Sequence, residues 1–125
     1  SSWTSISLTN ALAIAYGGTG AKNAAAARTN LGIAATSLYN GTLTSGSITF
    51  NYGNYNFYVI IGRPSSTASR ASLVVPKIML TTSAVSFQIA DESNYKSFNL
   101  SYSGSLVTLA IQGGNGQINR VFGIN

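Results

Sequence analysis

The sequence predicts a mainly β fold: an antiparallel β-sandwich of about eight strands behind a short N-terminal helical neck. Three observations carry that prediction. From Ser37 onward polar and apolar residues alternate with a period of two, as in strands with one buried face. Polar turn segments recur at the short intervals of a sandwich or barrel. The composition agrees, with seven Tyr and five Phe against one Trp and one Met, and with only 7% of the 125 residues charged.

The length suits one domain with a short extra segment, since domains commonly run to about 100 to 200 residues. We divide the chain into 1–36, an extended segment plus short helix, and 37–125, the sandwich. There is no cysteine, so neither a disulfide framework nor a thiolate metal site is open to it. Seven Lys or Arg against Asp91 and Glu92 give a formal net charge of +5. The basic residues, Lys22, Arg28, Arg63, Arg70, Lys77, Lys96 and Arg120, are scattered. That pattern predicts mild attraction to anionic surfaces and no nucleic-acid stripe. The longest apolar run, Leu73 to Pro76, falls far short of the roughly 20 residues of a membrane helix, so no membrane insertion is expected. The chain starts at Ser1 without a methionine or a signal-peptide pattern, and is expected to be a fragment whose natural end is Asn125.

Taken in order, the first element is Ser7 to Tyr16, whose weak alternation suits an extended segment. A turn follows at Gly17, Gly18 and Gly20, residues that take positive φ at little cost, with Thr19 placed to cap a helix beginning near residue 20 or 21. Ala24 to Ala27 are strong helix formers and Gly32 suits a left-handed C-cap, which predicts a helix over about 21 to 31. A helix this short is marginal alone and needs tertiary contacts. Its side chains, Ala24 and Ala27 above all, are mostly single methyl groups, with Leu31 at the end. They bury little unless backbones approach closely, either around an axis shared by three copies or against the helix's own domain. A phosphate-cradling role for the glycines is not expected. The run lacks the Lys and Ser/Thr of a P-loop, and residues 37 to 43 hold no carboxylate for a dinucleotide fingerprint.

The eight strands are expected at about 38–43, 46–52, 56–62, 70–79, 84–90, 95–103, 105–112 and 117–124. Val85, Phe87 and Ile89 share one face, as do Phe98, Leu100 and Tyr102, and both faces should be core. Phe57 to Ile61 and Leu106 to Ile111 are nearly apolar on both faces, so their second side should be covered by another sheet or another subunit. Pro76 removes a ladder donor, which places the fourth strand at an edge or on a bulge.

Two sets of motifs resemble bacteriophage tail fibres. Residues 12 to 33, an apolar segment, then Gly17-Gly18-Thr19-Gly20, an Ala-rich helix and Arg28-Thr29-Asn30-Leu31-Gly32, are similar to a recurring tail-fibre module. Leu38-Tyr39-Asn40-Gly41, Ile48-Thr49-Phe50, Tyr58 to Gly62, Leu73 to Pro76 and Ile118 to Ile124 follow in the order found in the C-terminal domain of many tail fibres. The resemblance implies a homotrimer, with Ala24, Ala27 and Leu31 in a trimerising neck. It also implies a virion location at the fibre tip, and attachment to a bacterial surface glycan or lipopolysaccharide, or alternatively to an outer-membrane protein. A purely structural trimerisation module is the alternative reading.

No enzyme is expected. There is no histidine or cysteine, and the only carboxylates, Asp91 and Glu92, are sequence neighbours, whereas a glycosidase sets two of them about 5 to 10 Å apart across its substrate. A solvated turn is their simplest reading. A lysine base at Lys77 or Lys96 would need a serine beside it in a pocket, and no metal or cofactor is expected.

Consecutive antiparallel strands sort the turns into two sets. The set far from the neck is 44–45, 63–69, 91–94 and 113–116. It carries Arg63, Ser65, Ser66, Thr67, Asp91, Glu92, Asn94 and Asn115, with Arg70 and Tyr95 at its margins. Planar polar groups and an aromatic ring suit saccharide hydroxyls and pyranose faces, and arginine suits phosphate or carboxylate on a polysaccharide. The rival cluster, Tyr52, Asn54, Tyr55 and Asn56, lies on the opposite set, where tyrosines packed between subunits are the preferred reading.

Overall fold

Within residues 35–125 alternation becomes strand. The structure, a computed structural model, describes residues 10–33 and 35–125. Among the described residues eight strands form: β1 Ala35–Leu43, β2 Ser47–Asn51, β3 Phe57–Arg63, β4 Ala71–Pro76, β5 Val85–Ala90, β6 Tyr95–Ser103, β7 Leu106–Gly114 and β8 Gln117–Ile124. They build two four-stranded sheets, β1-β8-β3-β4 and β2-β7-β6-β5, in which every pairing is antiparallel. The sheets face one another as a sandwich, with β1 over β2 and β4 over β5 at its two sides.

The inward residues close a single core. Tyr58 and Ile60 of β3, Val75 of β4, Phe98 and Leu100 of β6, Val107 and Leu109 of β7, and Ile118 and Val121 of β8 are fully buried. Phe98 stacks on Phe87, with ring centroids 5.9 Å apart. Each fully buried side chain of this kind contributes about 1.5 to 3 kcal/mol relative to exposure, so the core outweighs any single surface contact.

One expectation changes here. The fourth strand ends at Pro76 instead of continuing to 79. Lys77–Met79 form a 3-10 turn closed by the Leu80 amide on the Lys77 carbonyl. Pro76 itself lies on an edge strand, as its missing donor requires. In β7, Val107, Leu109 and Ile111 point inward, and the outward side of the 106–111 stretch is Leu106, Thr108 and Ala110, with Leu106 exposed. β3 keeps an apolar outward side, Phe57, Val59 and Ile61, that no second sheet among the described residues covers.

The chain divides at Ala34, and Ser1–Ala34 forms a separate unit. Of its expected extended segment, residues 7–9 lie outside the described residues, and Ile14–Tyr16 wind into a 3-10 turn. The helix α1, Ala24–Asn30, is shorter than expected, and its cap is Asn23, whose Oδ1 accepts the Ala26 amide at 2.8 Å. Thr19 is not the cap. Positive φ at Gly20 turns the chain away before a helix can start, and the Thr19 carbonyl instead accepts the Asn30 side-chain amide at 3.0 Å. Gly32, at φ 73°, ends the helix as expected. Its amide reaches Thr29 O and the Ile33 amide reaches Arg28 O, which together satisfy two terminal carbonyls. Gly17 also has positive φ, whereas Gly18 does not; a Cβ there would collide with the Leu12 carbonyl. No residue of α1 is buried, and Leu12, Ile14, Tyr16, Leu31 and Ile33 are exposed. Among the described residues no helix is long and apolar enough to cross a membrane.

Candidate functional site

Strand direction decides which loops meet. β1 begins at one end of the sandwich, the near end, and finishes at the other, the far end. Antiparallel pairing then brings residues 44–46, 64–70, 91–94 and 115–116 to the far end. Contacts tie these loops together. Asn115 Nδ2 donates to Asn94 Oδ1 at 2.5 Å, and the Gly116 amide donates to the Tyr95 carbonyl at 2.9 Å. Gly116 also sits directly on the Arg63 and Pro64 carbonyls, where any Cβ would collide. The Ile111 amide reaches Gly46 O at 2.8 Å.

Lys96 anchors this end from within. Its alternation on β6 puts it on the same inward face as Phe98, Leu100 and Tyr102, and it is only 2% exposed. Its Nζ donates to Thr44 O at 2.9 Å and to Gly114 O at 2.6 Å, joining the β1–β2 turn to the end of β7. Burial pushes its pKa below the usual lysine value. Two charge-assisted hydrogen bonds offset part of the cost of that buried cation.

The other far-end residues divide into those held by the fold and those left free of it. Asp91 Oδ1 accepts the Ser93 and Asn94 amides at 2.9 and 2.8 Å, a turn that organises the β5–β6 hairpin. Those backbone hydrogen bonds hold its pKa below the usual aspartate value. Glu92 beside it is exposed. Ser65 Oγ accepts the Ala68 amide, and Arg63 Nη1 donates to Ser66 O at 3.1 Å, so both shape the 64–70 loop; Arg63 Nε is buried with no partner. Ser66, Thr67, Arg70 and Tyr95 present exposed surface, and Asn115 is exposed while its amide stays tied to Asn94. No pocket opens among the described residues, and no group of three His, Cys, Asp or Glu gathers there.

The rival cluster lies at the near end. Tyr52 stacks on Tyr102 at 4.6 Å, and Lys77 Nζ sits 3.8 Å above the Tyr52 ring while also donating to Gly53 O. Tyr55 lies flat against Gly123 and edge-on to Tyr58. Much of the tyrosine ring surface assigned from sequence to a subunit boundary is therefore engaged within this chain. Asn54 and Asn56 are exposed, and the Asn56 backbone bridges Ile124 and Lys77.

Two buried polar residues escaped sequence reasoning as structural pins. Lys96 was legible from its spacing to Phe98, two residues on. Asn119 was not: it occupies a bulge of β8, where its amide reaches Gly41 O at 3.3 Å and Gln117 Oε1 at 2.8 Å, and only the pairing register reveals that bulge. Comparison with protein-family models, with curated proteins and with solved structures finds no match.

Proposed function

We propose that this chain is the receptor-binding tip of a bacteriophage tail fibre. In this reading it is a non-enzymatic homotrimer that attaches the virion to a bacterial cell by gripping a lipopolysaccharide or O-antigen glycan. The observation that carries the reading is the gathering of four loops at one end of the sandwich, tied by Lys96 and the Asn94–Asn115 contact. There Arg70, Tyr95, Asn115, Ser66 and Thr67 stand exposed on a pinned base. Hydroxyl, amide, guanidinium and phenol groups on exposed loops match the chemistry of a hydroxyl-rich polymer. Three such surfaces on one tip combine weak single contacts by raising the effective concentration of each. The net charge of +5 per chain adds a salt-screened attraction to phosphate-bearing lipopolysaccharide. The tail-fibre resemblance of residues 12 to 33 and of the strand motifs supports the same reading.

The test is retention of the chain on surfaces coated with lipopolysaccharides from a panel of Gram-negative bacteria, alongside outer-membrane vesicles before and after protease treatment. Wild type should be retained by at least one lipopolysaccharide. Arg70→Ala, Tyr95→Ala and Thr67→Ala should each weaken retention by about tenfold, the cost of one contact worth roughly 1.4 kcal/mol. Protease-sensitive retention on vesicles alone would move the receptor to a protein. Unchanged retention by all three variants would defeat the far-end assignment.

A further inference from the structure

The sandwich turns two very different faces away from its core. On the β2-β7-β6-β5 sheet the outward residues are hydroxyls and amides, such as Thr49, Ser86, Asn99, Ser101 and Thr108, with Ser86 Oγ bonded to Asn99 Oδ1 at 2.8 Å. That is the pattern of a solvated face. On the β1-β8-β3-β4 sheet the outward residues are Phe57, Val59 and Ile61 of β3, Phe122 and Ile124 of β8, and Val74 of β4. They are contiguous: Phe57 pairs with Ile124, and Val59 pairs with Phe122 on one side and Val74 on the other. None of them packs on the core; Val74 is 57% exposed and the other five are half-buried. Arg120 lays its guanidinium 4.4 Å over the Phe122 ring.

We infer that this outward face of the β1-β8-β3-β4 sheet packs against a second copy of this chain. The inference rests on the self-assembly in the proposed function and names the surface that performs it. Size is the first argument. Four strands about 4.8 Å apart and some seven residues long, at about 3.3 Å each, make a flat face of roughly 400 to 450 Å² in projection. A stable association buries about 800 Å² per partner. One face supplies about half of that in projection, and the side chains standing off the sheet add to the accessible area it buries.

The kind of partner follows from what else is uncovered. The 1–34 unit leaves Leu12, Ile14, Tyr16, Leu31 and Ile33 exposed. A sister copy brings a matching pair of uncovered units with every chain, whereas an unrelated partner would need two separately matched patches. Charge fits as well. Arg63 and Arg120 lie on this outward face, which holds no carboxylate, while exposed Glu92 sits among the far-end loops, the end to which β3 delivers Arg63. Copies side by side around an axis keep their far ends together, which sets the Glu92 of one copy at the same end as the Arg63 of the next.

Sedimentation equilibrium on the whole chain tests this. Wild type should run at a multiple of the 13.0 kDa chain mass. Val59→Glu should fall to one chain mass with its β circular dichroism retained, and Thr108→Glu, on the polar face, should leave the mass unchanged. Since the chain has no cysteine, a second arm stands even if Val59→Glu fails to fold. Val74→Cys should be crosslinked between copies by a short bismaleimide, and Ser101→Cys should not. An assembled wild type whose mass survives Val59→Glu, with Val74→Cys unlinked, overturns the assignment of the face but leaves self-assembly standing. A wild type that is monomeric at every concentration overturns both.

Discussion

Replacing Tyr58 by phenylalanine isolates one buried hydroxyl. The Tyr58 ring is fully buried, tilted against Phe50 at 5.6 Å and edge-on to Tyr55 at 5.9 Å, and Phe retains all of that. What is lost is the hydroxyl's hydrogen bond to the Tyr52 carbonyl at 2.5 Å. An orphaned buried acceptor costs about 1 to 3 kcal/mol. Because Tyr52 is only half-buried, water recovers part of this, and a loss of about 1 to 2 kcal/mol near neutral pH is expected. For a domain of this size each kcal/mol lowers Tm by about 4 to 8 °C. The same hydroxyl sets a pH dependence. Burial first, then the neighbouring Tyr52 and Tyr55, push its pKa from 10.0 up to about 12. Between those values the unfolded chain releases a proton that the folded chain keeps. Wild type therefore loses stability as pH rises from 10.0 to about 12, by up to about 3 kcal/mol if the shift is fully realised. Tyr58→Phe lacks that loss, so its deficit should shrink or reverse in alkali. Urea unfolding followed by circular dichroism, repeated across alkaline pH, reads both effects. A variant as stable as wild type at neutral pH, or a deficit that stays constant into alkali, would refute the reasoning.

Gly116→Ala should destabilise the sandwich by about 1 to 3 kcal/mol, because its Cβ meets two backbone carbonyls that cannot swing aside; urea midpoints check it, and a neutral substitution would contradict the close approach to Arg63 and Pro64. Lys96→Met should speed amide exchange in residues 44–46 and 113–116, with a global change under about 2 kcal/mol because relief of a buried charge offsets two lost bonds. The buried amine's lowered pKa means that the unfolded chain binds a proton the folded chain has released just below 10.5. Wild type should gain stability as pH rises through that window, a gain the Met variant lacks when thermal unfolding is compared across it. Asn23→Ala removes the side-chain acceptor of the Ala26 amide and should cost about 1 kcal/mol of helix stability, seen as reduced helical ellipticity that Asn23→Asp restores.

The strands were legible because alternation between polar and apolar residues is a local signal. The meeting of the far-end loops followed from it, since antiparallel strands of known order leave little choice of which turns share an end. Pairing between distant segments left no such mark. That β7 and β8, adjacent in the chain, belong to different sheets, and that β8 lies between β1 and β3, depend on long-range register. Local chemistry also competed at the helix start, where both Thr19 and Asn23 are good caps and only the positive φ of Gly20 decides between them. Lys96 fell on a buried face by spacing, yet its charge argued for solvent until two carbonyls were seen to receive it. The apolar outward side of β3 was legible as something covered, but not by what.

The central claim is that a bacterial surface saccharide contacts the far end of the sandwich. Amide chemical-shift mapping of the whole chain, titrated with oligosaccharides released from a lipopolysaccharide that retains it, tests that contact directly. Shifts concentrated in residues 63–70, 91–95 and 113–116 are the expected result. Shifts confined to Tyr52, Asn54, Tyr55 and Asn56 at the near end, or none at saturating saccharide, would contradict it.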